Sequence, residues 1–185
     1  MANKEHLELL RRATKAYAEW GVDGSKPRKE DILPDLRGAD LSEADLTKTH
    51  LNAADLRGAN LRGADLTESK FIGVKLNNAD LRAANLTNVY LRASDLSGAN
   101  LRGADLSKSD LTETHFNRAD LRDAILFEAI LFGNLCGANF SGAELTRAHI
   151  CGADLTGAIL NGAIFSDTVL SDVDISKVEG LEKNE

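Results

Sequence analysis

Large apolar residues recur at every fifth position over most of this chain. Leucine, or an isoleucine or phenylalanine in its place, stands at Leu36 and every fifth residue through Leu131, and again from Leu135 through Ile175. A single four-residue unit separates the two series. We refer to these 29 positions as the centres of the repeat.

A period of five fits neither regular secondary structure. Around an α-helix successive centres would lie about 140° apart, and along a flat strand they would alternate between faces. The pattern predicts a chain that turns inward by about a quarter turn per unit, so that four units close a square coil of about twenty residues. Coils stacked about 4.8 Å apart would then place all centres inside.

The residue two positions before each centre is always small. From Ala39 to Val173 it is alanine in most units and serine, threonine or valine in the others, as at Thr114, apart from Gly133 in the four-residue unit. A tube too narrow for two large side chains side by side requires this second inward position to be small. The remaining three positions carry nearly all the polar residues and glycines, which predicts outward faces and corners.

Residues 59–63 (Ala-Asn-Leu-Arg-Gly) and 153–157 (Ala-Asp-Leu-Thr-Gly) match the motif A(D/N)LXX. On these units the chain resembles the pentapeptide repeat family, over about four fifths of its length. The resemblance implies an all-β solenoid, a right-handed quadrilateral β-helix, here of about seven coils. We assign residues 1–35 to an N-terminal helix and connecting loop, 36–178 to the β-helix and 179–185 to a short tail.

The spacing of apolar residues over 4–20 predicts an amphipathic α-helix. Asn3 is its expected N-cap, and Gly21 is placed to end it. We expect this helix to cover the N-terminal end of the solenoid, where leucines and strand edges would otherwise face water. The alternative is a helix that binds a partner. The expected cap residues are Leu7, Leu10, Tyr17 and Trp20.

When the sequence is written in rows of twenty residues, one row for each predicted coil, four arginines fall in one column directly after the centres. They are Arg62, Arg82, Arg102 and Arg122. They form either a solvated face in which arginines pair with neighbouring carboxylates, or a charged site for an anion or acidic partner. A second column is expected to be a structural ladder of hydroxyl groups. It comprises Thr47, Thr67, Thr87 and Ser107.

Outward positions become apolar near the four-residue unit between Leu131 and Leu135. The residues concerned are Ile125, Phe127, Ile130 and Phe132, with Tyr90 and Ile72 in earlier rows of the same region. They mark either a protein contact surface or a local cluster buried by the shortened coil. Farther on, Ile159, Ile164 and Val169 are also apolar, and we expect a monomer or a weak dimer formed through these C-terminal coils.

Composition narrows the classes of partner. The chain is 43% hydrophobic and carries a net charge of −7, all of it from residue 36 onward. An acidic rod does not attract phosphates, so we expect no direct binding to nucleic acid. A long apolar run and the apolar core of a signal peptide are both missing from the sequence, so we expect a cytoplasmic protein that does not enter membranes.

The sequence offers no catalytic constellation, metal site or cofactor site. Cys136 and Cys151 lack metal-site spacing and fall on adjacent faces, and the four histidines lie on different faces or rows. The regularly spaced Asp residues line a convex exterior rather than a pocket. We therefore expect a non-enzyme without cofactors.

The favoured function is a protein-interaction scaffold or regulator that presents a rigid β-helical surface to a protein partner. The long Ala-(Asp/Asn)-Leu series behind a short N-terminal helix is similar to the cyanobacterial branch of the family, some members of which regulate development through protein contacts. The alternative that the resemblance implies is the quinolone-resistance type, in which an acidic rod mimics duplex DNA and binds DNA gyrase.

Overall fold

A computed structural model describes residues 2–19 and 35–180. It contains helix α1 (Lys4–Glu19), a 3₁₀ helix (Ile175–Lys177) and four strands. The strands are β1 (Asp110–His115), β2 (Ile130–Asn134), β3 (His149–Cys151) and β4 (Val169–Ser171), and they form one parallel sheet in the order β1-β2-β3-β4. In the other described units, pairing consists of single parallel bridges.

The coil has four sides and twenty residues, as the sequence predicts. Parallel bridges join each unit to the one twenty residues later, and to the one nineteen later across the four-residue unit. We number the faces by the residue at which each begins: face 1 at Asp35, face 2 at Asp40, face 3 at Asp45 and face 4 at His50. Each face is therefore a column of residues from successive coils.

The backbone hydrogen bonds explain why Asp or Asn precedes most centres. The N–H groups of Leu41 and Glu43 donate to carbonyls of the next coil at 2.8 Å, and that of Ala44 closes a turn on the Leu41 carbonyl. The N–H of Ser42 donates instead to Oδ1 of Asp40, at 3.2 Å. This Asx bond recurs along the solenoid and satisfies an N–H that points away from both neighbouring coils.

The corners explain the frequent glycines. The residue two after a centre adopts positive φ, for example 65° at Gly103 and 58° at Glu43. Positive φ at the third position, closed by a hydrogen bond between the first and fourth residues, is the pattern of a type II turn, which favours glycine. Within the described part of the chain sixteen non-glycine residues nevertheless hold this conformation, since the stacked coils impose it.

The centres and their small neighbours fill the tube. Every centre from Leu36 to Leu160 is buried. The prediction that all centres lie inside is wrong at the C-terminal end, where Leu170 is 43% and Ile175 49% exposed. In the described residues no further coil packs over them.

Helix α1 covers the N-terminal end of the tube. Asn3 caps it as predicted, because its Oδ1 accepts the N–H of Glu5 at 2.8 Å. Leu10 is 2% exposed and belongs to the core. The N–H of Asn3 donates to the carbonyl of Asp40 at 2.9 Å, and Nδ1 of His6 accepts the Asp40 N–H at 3.2 Å. These two groups occupy the places that a preceding coil would fill.

Two of the other predicted cap residues lie in α1, and the extent of the solenoid agrees with the predicted boundaries to within one residue. Leu7 packs against the core while half-buried, and Tyr17 lies in α1. Trp20, the connecting loop up to residue 34 and residues 181–185 lie outside the described residues. Pairing runs from Asp35 to Glu179, one residue beyond each end of the assigned solenoid.

The four-residue unit produces one bulge. Strands β1 and β2 are in step from Asp110 and Ile130 as far as Thr112 and Phe132, but Thr114 then faces Gly133. Glu113 has no counterpart in β2. The predicted register slip is thereby confirmed, and it is absorbed at the corner that follows face 4.

Candidate functional site

Four apolar side chains form a patch on one coil, which we call the apolar patch: Ile125, Phe127, Ile130 and Phe132. Ile125 and Phe127 lie on face 3, Ile130 and Phe132 lie on face 4, and Glu128 lies at the corner between them. Ile125 is 37% exposed, Ile130 and Phe132 are each 39% exposed, and Phe127 is half-buried. The shortened unit therefore leaves the patch open to solvent.

The exposed apolar side chains lie on one side of the rod. Tyr90, 45% exposed, stands on face 4 two coils before Ile130. All large apolar side chains that are exposed among residues 2–12 and 35–180 occupy faces 3 and 4 or the C-terminal end. They are Ile72, Tyr90, Ile125, Ile130, Phe132, Ile164, Val169, Leu170 and Ile175. Among these residues, faces 1 and 2 thus expose no large apolar side chain before the C-terminal end, although Ile159 on face 2 is half-buried.

Isoleucine at position 125 costs the fold a hydrogen bond. One coil earlier, Asp105 accepts the N–H of Ser107 at 2.9 Å. Ile125 occupies the equivalent place, and in the described part of the chain no side chain accepts the N–H of Phe127. Ile125 thus gives up this turn bond and exposes apolar surface in its place.

A charged rim borders the patch. The Arg147 guanidinium lies 5.9 Å from the centre of the Phe127 ring and 3.4 Å from Oε1 of Glu128, whose other oxygen is 4.0 Å from Nζ of Lys108. Sequence reasoning missed Arg147. Shifting the rows by one residue after the four-residue unit would have placed it beside Glu128.

The arginine column is a face of paired charges. Arg82 and Arg122 form bidentate salt bridges with Asp80 and Asp120, respectively. The Nε–Oδ1 distance is 2.8 Å in both pairs. Arg102 follows an asparagine and reaches Asp123 at 3.2 Å instead. These hydrogen bonds lower the pKa of Asp80 and of Asp120.

Arg62 is the member of the column that also follows an asparagine, and within the described residues it forms no salt bridge. The geometry thus matches the solvated, paired face and leaves a single guanidinium of the four without a carboxylate partner.

The hydroxyl groups of the second column form hydrogen bonds within their own units, since Thr67 Oγ1 donates to Asp65 at 2.6 Å.

The described residues contain no cluster of His, Cys, Asp and Glu that could hold a metal ion. Cys136 and Cys151 carry free thiols on faces 1 and 4. A hydrogen bond to Asp154 raises the pKa of the Cys136 thiol. Within residues 2–19 and 35–180, no helix has the length and apolar character needed to cross a bilayer.

The repeats match a family model described as pentapeptide repeats, with eight copies over residues 35–71, 64–103, 94–131, 133–157 and 152–179. The chain belongs to the pentapeptide repeat family. Membership confirms the resemblance drawn from the motif and implies a right-handed quadrilateral β-helix, consistent with the four-sided coil. The number of coils stays a prediction.

Solved structures of other pentapeptide repeat proteins are similar to this one. HetL, involved in heterocyst differentiation regulation in Nostoc sp. strain PCC 7120, is 30% identical over 78% of this chain and 84% of its own, with a TM-score of 0.44. Rfr23 of Cyanothece 51142 is 35% identical over 55% and 63%, with a TM-score of 0.29. A trypsin-treated form of QnrB1, a plasmid-mediated fluoroquinolone resistance protein, is 19% identical over 76% of each chain, with a TM-score of 0.47. No individually curated protein matches the chain.

We expect this pentapeptide repeat protein to lose stability in acid. Hydrogen bonds from Arg37 and from Cys136 lower the pKa of Asp35 and of Asp154 from 3.8 to about 2, and other turn aspartates are lowered as well. The unfolded chain then binds more protons than the folded one below about pH 4. The thermal midpoint should be level from pH 7 to 5 and fall steeply from about pH 4 to 2.

The double variant Asp80→Asn, Asp120→Asn tests this cause. Asparagine keeps the turn bond, as Asn100 does, but it does not titrate. The thermal midpoint of the double variant should therefore fall less steeply between pH 4 and 2 than that of the wild type. An identical decline would show that these carboxylates do not produce the acid sensitivity.

Proposed function

We propose that this pentapeptide repeat protein is a non-enzymatic, cytoplasmic scaffold or regulator that binds a protein partner through the apolar patch and Tyr90. The observation that carries the proposal is the exposure of the patch on a polar solenoid. Aromatic and aliphatic side chains with a charged rim are typical of the energetic centre of a protein interface.

Rigidity supports the same function. The faces are held by a continuous network of backbone bonds between coils, so the patch side chains sit on a preformed surface. A preformed surface binds with little ordering cost. Pentapeptide repeat proteins are in general structural or interaction proteins rather than enzymes, and the tube interior from Leu36 to Leu160 is filled with side chains.

The binding role of the patch can be tested by capturing partner proteins on the immobilised protein from a lysate of the cells in which it occurs. We expect the double variant Phe127→Asp, Phe132→Asp to lose partners that the wild type retains, because two carboxylates would have to be desolvated at the contact. Asn117→Asp, Asn161→Asp is the matched control, since it adds the same charge on faces 1 and 2. Equal capture by the wild type and the patch variant would reject the proposal.

Two further measurements separate the alternatives. Inhibition or protection of DNA gyrase in a supercoiling assay at micromolar protein would favour the DNA-mimic function, which the net charge of −7 supports. Sedimentation of the protein alone distinguishes partner binding from a weak dimer through the C-terminal coils, where Ile164 and Val169 are exposed. A mass independent of concentration would reject the dimer.

A further inference from the structure

Face 3 differs from faces 1 and 2 in how its carboxylates are compensated. On faces 1 and 2 four aspartates pair with an arginine two residues later, as in Asp55 with Arg57 and Asp80 with Arg82, whereas Asp40, Asp95 and Asp154 are followed by serine or threonine. On face 3 a threonine or serine follows each acidic residue at that distance. Oδ1 of Asp65 accepts the N–H and the hydroxyl of Thr67, at 3.0 and 2.6 Å, and the charge is left without a cation.

Face 3 carries four acidic residues in the described chain: Asp45, Asp65, Asp105 and Glu144. Across the described ranges, none of them forms a salt bridge. The bases at the adjoining corner are engaged with corner acids, Lys48 with Glu68 at 3.6 Å, and Lys108 and Arg147 with Glu128. Face 3 therefore presents uncompensated negative charge.

This negative column leads directly into the apolar patch. Bridges join Asp45, Asp65, Asn85, Asp105, Ile125, Glu144 and Ile164 in that order. Neighbouring members lie one coil spacing apart, about 4.8 Å, so Asp65 and Asp105 are separated by about 10 Å. Acidic groups and apolar side chains thus form one continuous strip.

We propose that the partner segment that covers the apolar patch is cationic and amphipathic, a polypeptide stretch rich in lysine or arginine that lies along face 3. This inference rests on the proposed function and specifies its partner. Apolar side chains of the segment would cover Ile125 and Phe127, while its basic side chains pair with Asp65 and Asp105. An acidic segment is repelled by the column, and an uncharged one leaves its carboxylates desolvated without a counter-charge.

The test uses a fluorescein-labelled peptide of alternating lysine and leucine. Asp65→Asn, Asp105→Asn should weaken its binding about three- to tenfold, since two exposed ion pairs are lost. Asn85 already makes the same turn bond to Thr87 at 3.1 Å, so the variant should keep its thermal midpoint. The control, Asp55→Asn, Asp80→Asn, changes the net charge equally on faces 1 and 2 and should bind like the wild type.

Equal weakening by the two pairs would overturn the inference, because it would show only general attraction to an acidic protein. Tighter binding of the matching glutamate and leucine peptide would overturn it as well. In the lysate experiment, a partner that is lost with Phe127→Asp, Phe132→Asp but retained with Asp65→Asn, Asp105→Asn would reject the cationic partner and keep the proposed function.

Discussion

Ala99→Glu is expected to destabilise the solenoid by more than about 4 kcal/mol, enough to unfold a domain of ordinary stability. Ala99 is fully buried beside the centre Leu101, in a tube filled by the coils above and below. A carboxylate there would have neither room nor a partner. Thermal and denaturant unfolding followed by circular dichroism would measure the loss.

The same substitution at the exposed Ala83 is the matched control. Ala83 is a corner residue with φ of 53°, and Glu43 holds the same corner two coils earlier, with φ of 58°. Ala83→Glu should change the free energy of unfolding by no more than about 0.5 kcal/mol. A buried-site variant as stable as this control would show that Ala99 does not point inward.

Gly133→Ala should cost about 3 kcal/mol, which is unusual for the addition of one methyl group. A Cβ on Gly133 would meet the carbonyl oxygen and the nitrogen of Thr114 in the preceding coil. Backbone atoms on both sides are fixed by the bulge between β1 and β2, so neither can retreat. Denaturant unfolding would give the free-energy change directly.

Gly103→Ala provides the comparison. Gly103 has φ of 65° and nothing within 4 Å of an added Cβ, so alanine there meets only the conformational cost of about 1 kcal/mol. Equal costs at the two glycines would mean that the close approach at the bulge is relieved by movement of the backbone.

The repeat itself allowed most of the fold to be predicted. Leucine at each centre and alanine two positions before it leave one way to bury both, and the four-sided coil follows from sterics. The role of the intervening Asp or Asn could not be foreseen, because it depends on which N–H the stacked coils leave without an acceptor. His6 was missed for a related reason, since its bond to Asp40 exists only once α1 has docked.

The candidate surface was foreseen only in outline. The repeat pattern showed which apolar residues point outward. Whether Ile130 and Phe132 are buried or exposed could not be predicted, because it depends on the geometry of the bulge. The uncompensated aspartates of face 3 were hidden because Asp65 and Asp80 look alike in sequence. They differ in the residue two positions later, Thr67 or Arg82, and in the pairing that this residue allows.

The contacts of Asn3 and His6 with Asp40 make the two ends of the rod unequal. Growth into a filament by stacking would need every subunit to offer one end to the open end of the next. Because α1 occupies the N-terminal end, no subunit can be added there. Stacking through the other end can join two copies at most, so the molecule carries its own protection against fibre formation.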